Sequence, residues 1–147
     1  MTIKEYLSQA YRLDLRINSK IEQVSSLNDL ATKCTSIIND MPRNPSRATS
    51  SMADAVTKIT DLQSEINNDI DSLVNLKQEI VTVIKEIGNL EYQTLLEKRY
   101  LCFLSWERIA VDMGYDLRYL HKLHNRALKE CKIPTSIERT LTDIERH

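Results

Sequence analysis

The chain has 147 residues, with 20 Lys and Arg against 21 Asp and Glu, 41% hydrophobic and 5% aromatic side chains, and only two Gly and three Pro. So few turn residues, beside many Leu, Ile, Lys, Glu, Ser and Asn in helical spacing, argue against a sheet-rich fold and predict an all-α protein. No run approaches the roughly 18 consecutive apolar residues of a membrane span, and the opening MTIKEYLSQAYR lacks the apolar core of a signal peptide. No membrane partner and a cytoplasmic location are expected. Cys34, Cys102 and Cys131 lie far apart with no CxxC pair, which predicts buried reduced thiols rather than disulfides or a zinc site.

Alternating steps of three and four from Ile3 reach Tyr6, Ala10, Leu13, Ile17, Lys20, Val24, Leu27, Ala31, Cys34, Ile38 and Met41, and only Lys20 is neither apolar nor cysteine. The same walk from Met52 reaches Ala55, Ile59, Leu62, Ile66, Asp69, Leu73, Leu76, Ile80, Val83, Ile87 and Leu90, with Asp69 the one exception. A heptad sustained this long returns one seam to a partner helix every two turns, so two long coiled-coil-like helices are predicted. Between them lies PRNPSRATSS, residues 42 to 51. Pro42 and Pro45 end the first helix, and Ser50 or Ser51 can cap the second. If the helices fold back as a long antiparallel hairpin with Met41 facing Met52, Lys20 and Asp69 fall in adjacent layers. They then either pair at the edge of the seam and fix its register or extend separately to water. Leu7, Ile21, Val56, Ile70 and Ile84 widen the stripe, as a bundle of three or four helices requires, so the hairpin of residues 1 to 90 is expected to make a homo-oligomer.

Charge is uneven along the chain. Residues 52 to 90 sum to −4, while residues 116 to 132 carry Arg118, Lys122, Arg126, Lys129 and Lys132 against Asp116 and Glu130, or +3. A surface for phosphates belongs in the second stretch.

At Gly88 and Asn89 the heptad loses phase, which marks a boundary near residue 90. Residues 91 to 133 read as three helices: Glu91 to Tyr100, Trp106 to Met113 capped by Ser105, and Leu117 to Cys131 capped by Asp116, with Gly114 supplying a left-handed turn. Ile109, Met113, Leu120, Leu123, Ala127 and Leu128 form an inner face, Ala110 permits close approach, and the outer face of the last helix presents Arg118, His121, Lys122, Asn125 and Arg126. This is the pattern of a helix-turn-helix, in which Arg and Lys reach phosphates or guanine edges and Asn pairs with adenine. These five residues are the candidate contacts to double-stranded DNA. His121 and His124 are spaced to share a metal, but no third ligand is nearby, so neither a metal nor a cofactor is expected; His124 reads as a packing residue. Tyr115 and Tyr119 fit either packing or the DNA backbone. No Gly-rich phosphate loop, Ser/His/Asp set or carboxylate pair is legible, so no enzymatic activity is expected. After Pro134, residues 134 to 147 read as a short last helix, with Thr135 and Glu138 as a capping box and Ile137, Leu141 and Ile144 on one face.

The pieces LEKRY, LSWERIA, the MGYD turn and the ending LHNRALKEC give residues 91 to 131 a resemblance to region 4 of RNA polymerase sigma factors. The stretch is similar above all to the sigma-like late-gene regulators of Gram-positive phages and prophages, the ArpU/RinA-like group. The resemblance implies a sequence-specific DNA-binding transcriptional regulator, usually an activator of phage structural or packaging genes, reading its promoter with the helix that begins after Asp116. It also makes host RNA polymerase a candidate partner. The chain departs from sigma factors at Arg108, where an acidic residue is usual, and at Leu117, where a basic or polar one is. Two other readings remain. One is a small terminase subunit, which joins a helix-turn-helix to oligomerising helices but recognises a packaging site and forms a ring. The other is an interaction protein whose hairpin grips a partner and whose helix-turn-helix is only structural.

Overall fold

A computed structural model of the chain describes the backbone of residues 1–40 and 45–134 and the side chains of residues 1–33 and 51–134. All regular structure in them is helical: α1 (Ile3–Asp40), α2 (Pro45–Lys85), α3 (Leu90–Leu96) running on into a π-helix (Glu97–Leu101), α4 (Trp106–Met113) and α5 (Leu117–Glu130). The helix expected beyond Pro134, and the seam side chains of Cys34, Ile38 and Met41, lie outside the described residues.

Helix starts follow local chemistry. Thr2 and Glu5 form a capping box, the Glu5 carboxylate accepting from the Thr2 N–H (3.0 Å) and the Thr2 hydroxyl from the Glu5 N–H (3.2 Å). α2 begins at Pro45, a turn and more ahead of Ser50 and Ser51, which therefore do not cap it. Proline lacks the N–H that a first turn leaves unpaired, and its fixed φ already suits a helix, so Pro45 opens α2 instead of only closing α1.

The chain divides into two compact units, one made of Met1–Arg12 with the chain from Val74 on, the other of Leu13–Leu73. The boundary expected near residue 90 lies inside the first. In the second unit Ile17 and Ile66 are buried, and Leu13, Val24, Leu27, Ile59, Leu62 and Leu73 half-buried, along the expected heptad. Here the Lys20 ammonium donates to Asp69 Oδ2 at 2.6 Å and lies 3.4 Å from Glu65 Oε2. The two seam exceptions therefore pair. The hydrogen bond that Lys20 donates to Asp69 leads in raising the Lys20 pKa above its ordinary value.

The first unit holds the larger core. Tyr6, Leu7, Ala10, Ile80, Val83, Ile84 and Ile87 are buried, as are Leu95, Leu96, Tyr100, Ile109, Ala110, Leu120, Leu123 and Ala127. The widening positions thus split. Leu7 and Ile84 in the first unit are fully buried, whereas Ile21, Val56 and Ile70 in the second unit stay 48%, 53% and 41% exposed. Leu90, expected to end the second seam, is exposed instead, because the chain turns after Ile87 and Asn89 caps α3 by accepting from the N–H groups of Glu91 and Tyr92. Cys102 is exposed, contrary to the buried thiol expected, since it follows the π-helix on a surface turn. Cys131 is half-buried, and burial, then Glu130, pushes its thiol pKa up to about 11.

Candidate nucleic-acid interface

Three residues position α5. Ser105 Oγ accepts from the Arg108 N–H (3.2 Å) and starts α4; Gly114, at φ 72°, ends it; Asp116 Oδ1 accepts from the Tyr119 N–H (2.7 Å) and starts α5. Only a residue free of a Cβ takes the Gly114 conformation without strain. The turn is closed by the Tyr115 N–H donating to the Ala110 carbonyl (3.0 Å).

Leu95, Ile109, Ala110, Leu120 and Leu123 form one buried cluster, with Tyr92, Leu104, Trp106, Met113 and Tyr115 packed around it. This fixes the roll of α5. Leu120, Leu123, His124 and Ala127 turn inward, so Arg118, His121, Lys122, Asn125 and Arg126 all face solvent. The side chains of Arg118, Lys122, Asn125 and Arg126 make no hydrogen bond or ion pair with another described residue, and His121 rests its ring 4.8 Å from Trp106. All five sequence-predicted contacts therefore share one exposed face. Arg108, by contrast, is engaged along α4 with Asp112 (3.2 Å), which also lies 3.6 Å from Lys98 of the π-helix.

The underside of α5 is braced by polar contacts. His124 is buried; its Nε2 lies 2.6 Å from the Tyr100 hydroxyl, its ring stacks on Tyr100 and meets Trp106 edge-on. Burial, then the nearby positive charges of Lys4, His121 and Arg99, pushes its pKa down to about 4, so the imidazole is neutral at pH 7. Burial pushes the Tyr100 hydroxyl up to about 12. Tyr115 donates to the Glu91 carboxylate, a bond that raises its pKa, and its ring meets that of Tyr119 at 4.9 Å. Tyr115 is thereby a packing residue, while Tyr119 keeps an exposed edge.

Sequence reasoning missed a second cluster in this unit. Arg99 donates to the Leu104 carbonyl (2.9 Å) with its guanidinium 4.7 Å from the Trp106 ring centre, and Lys77 donates to the Leu101 carbonyl (3.1 Å) with its ammonium 4.6 Å from the Phe103 ring. The signal available was Lys4, Ser8 and Tyr11 at helical spacing on α1, but nothing local tied them to residues a hundred positions on. No protein-family model, curated protein or solved structure matches the chain.

Proposed function

We propose that α4, the Gly114 turn and α5 form a helix-turn-helix of the sigma region 4 kind, that α1 and α2 fold back as an antiparallel hairpin joining copies of the chain, and that the protein is a sequence-specific DNA-binding regulator of phage or prophage transcription, acting as an activator. The observation that carries this reading is the two-sidedness of α5. Its apolar side is sealed by Ile109, Ala110 and Leu95, and its other side sets out Arg118, His121, Lys122, Asn125 and Arg126 at solvent. A helix of 14 residues is about 21 Å long, enough to lie in a major groove and reach several base edges and the flanking phosphates. The Lys20–Asp69 contact supports the hairpin, and the exposed Ile21, Val56 and Ile70 support its association with a second copy. Host RNA polymerase is a further partner in this reading.

The test is a pull-down of fragmented phage and host DNA with the purified protein, followed by sequencing. A discrete enriched sequence, retained by a dimer or tetramer in solution, is expected. Enrichment of a packaging site by a ring of eight or more copies would assign the terminase reading, and no retained DNA even at low salt would assign the interaction protein.

A further inference from the structure

The first unit contains a cavity of about 290 Å³ lined by Lys4, Ser8 and Tyr11 of α1, Arg99 and Tyr100 of the π-helix, and Phe103, Ser105 and Trp106 of the segment leading into α4. We propose that it binds a small aromatic anion, a planar ring bearing one carboxylate or phosphate. Among the described residues, four aromatic rings and two cations line the space and no carboxylate does. Rings accept a planar face by stacking, and cations in a site partly withdrawn from water favour an anionic substituent. The size is at the small end of ligand pockets, about 300 Å³, which suits one ring system and one charged group.

The walls are held in place before any ligand arrives. Arg99 is clamped between the Leu104 carbonyl and the Trp106 face, which fixes its guanidinium and leaves other N–H donors for an anion. Phe103 is the one described non-glycine residue with positive φ, 57°. Left-handed backbone at such a residue costs about 1 kcal/mol or more and persists only where neighbours impose it. Here the neighbours are Tyr11, whose ring meets Phe103 at 5.5 Å, and Lys77 over its face. The π-helix that carries Arg99 and Tyr100 is likewise a form found at functional sites more often than by chance. Strained backbone, π-helix, stacked cation and cavity coincide at one place, next to the Tyr100 and Trp106 contacts that brace His124 of α5.

Trp106 is the chain's one tryptophan, so its fluorescence reads the cavity directly. Titrations with phenyl phosphate and with para-hydroxybenzoate, checked by calorimetry, separate a phosphate-bearing from a carboxylate-bearing ligand; inorganic phosphate, acetate and phenol are the single-feature controls. One of the two anions is expected to saturate the signal and to bind at least about 10-fold tighter than each of its parts. Lys4→Gln, an exposed position with no structural bond from its side chain, should weaken that binding about 10-fold, and Ser8→Leu should block it, both with unchanged far-ultraviolet circular dichroism. Arg99→Gln should weaken it further, though it also removes the bond to Leu104. No saturation by either anion below about 10 mM, binding of the saturating anion no tighter than that of its parts, or affinities unmoved by Lys4→Gln and Ser8→Leu would each overturn the proposal.

Discussion

His124 sits where a charge cannot be tolerated. Packed under α5 against Tyr100 and Trp106, with Lys4, His121 and Arg99 nearby, its imidazole holds a proton only below about pH 4, against about 6.5 in an unfolded chain. Above pH 6.5 neither state is protonated at this residue and stability is unaffected by it. As pH falls from 6.5 toward 4 the unfolded chain takes up the proton first, so folding stability must decline across that window. Urea titrations at a series of pH values should show the decline in the wild type and a flatter profile in His124→Asn over the same range, the difference between the two isolating His124 from carboxylates that titrate at the acid end. The caps carry a second residue-scale prediction. Asp116→Ala and Ser105→Ala each remove the acceptor for one helix N-terminal N–H and should cost about 1 kcal/mol by chemical denaturation. Both caps were legible in the sequence, because a short polar side chain ahead of an apolar run has few other local roles. The exposure of Cys102 was not, since it depends on how the chain leaves the π-helix.

Element boundaries follow from backbone chemistry more than from hydrophobic pattern. Gly114→Ala should destabilise by about 1 kcal/mol through conformational strain alone, since a Cβ there would meet nothing within 4 Å. Thermal unfolding measures this directly. At the other end of the chain, the heptads announced α1 and α2 and singled out Lys20 and Asp69, whose pairing is the kind of contact that specifies register at some expense of stability. Replacing both with Met and Leu should leave the helical content intact while broadening the distribution of oligomers seen by light scattering; an unchanged single species would show that register is set elsewhere. The sequence misplaced the start of α2, because proline reads as a breaker until its position in the first turn is known. It also read Glu91 to Tyr100 as one α-helix, where α3 gives way at Glu97 to a π-helix. No side-chain pattern distinguishes an i to i+5 turn, so that change is not legible in the sequence, and neither is the cavity, whose walls come from two stretches of chain about ninety residues apart.

Across the whole chain, the apolar positions that widen the stripe sort by the unit they lie in. Leu7 and Ile84 are covered and Ile21, Val56 and Ile70 are not, although one heptad rule selected all five. Periodicity names the face a residue shares but not how many layers cover that face. The basic side of α5 was legible for the opposite reason, since a helix whose other side is sealed by Leu120, Leu123 and Ala127 has only one way to roll. If two copies each set Arg118, Lys122 and Arg126 against phosphates, about six counterion sites are vacated, and affinity should fall on the order of 10³-fold between 50 and 200 mM salt. The most direct check of the account is a fluorescence-anisotropy titration of the enriched DNA site with the wild type and with the Arg118→Ala/Lys122→Ala variant, each verified as folded. A loss of about 100-fold or more in affinity for that site, with a shallower salt dependence, is expected. Equal affinity of the folded variant and the wild type, with the same salt slope, would contradict it.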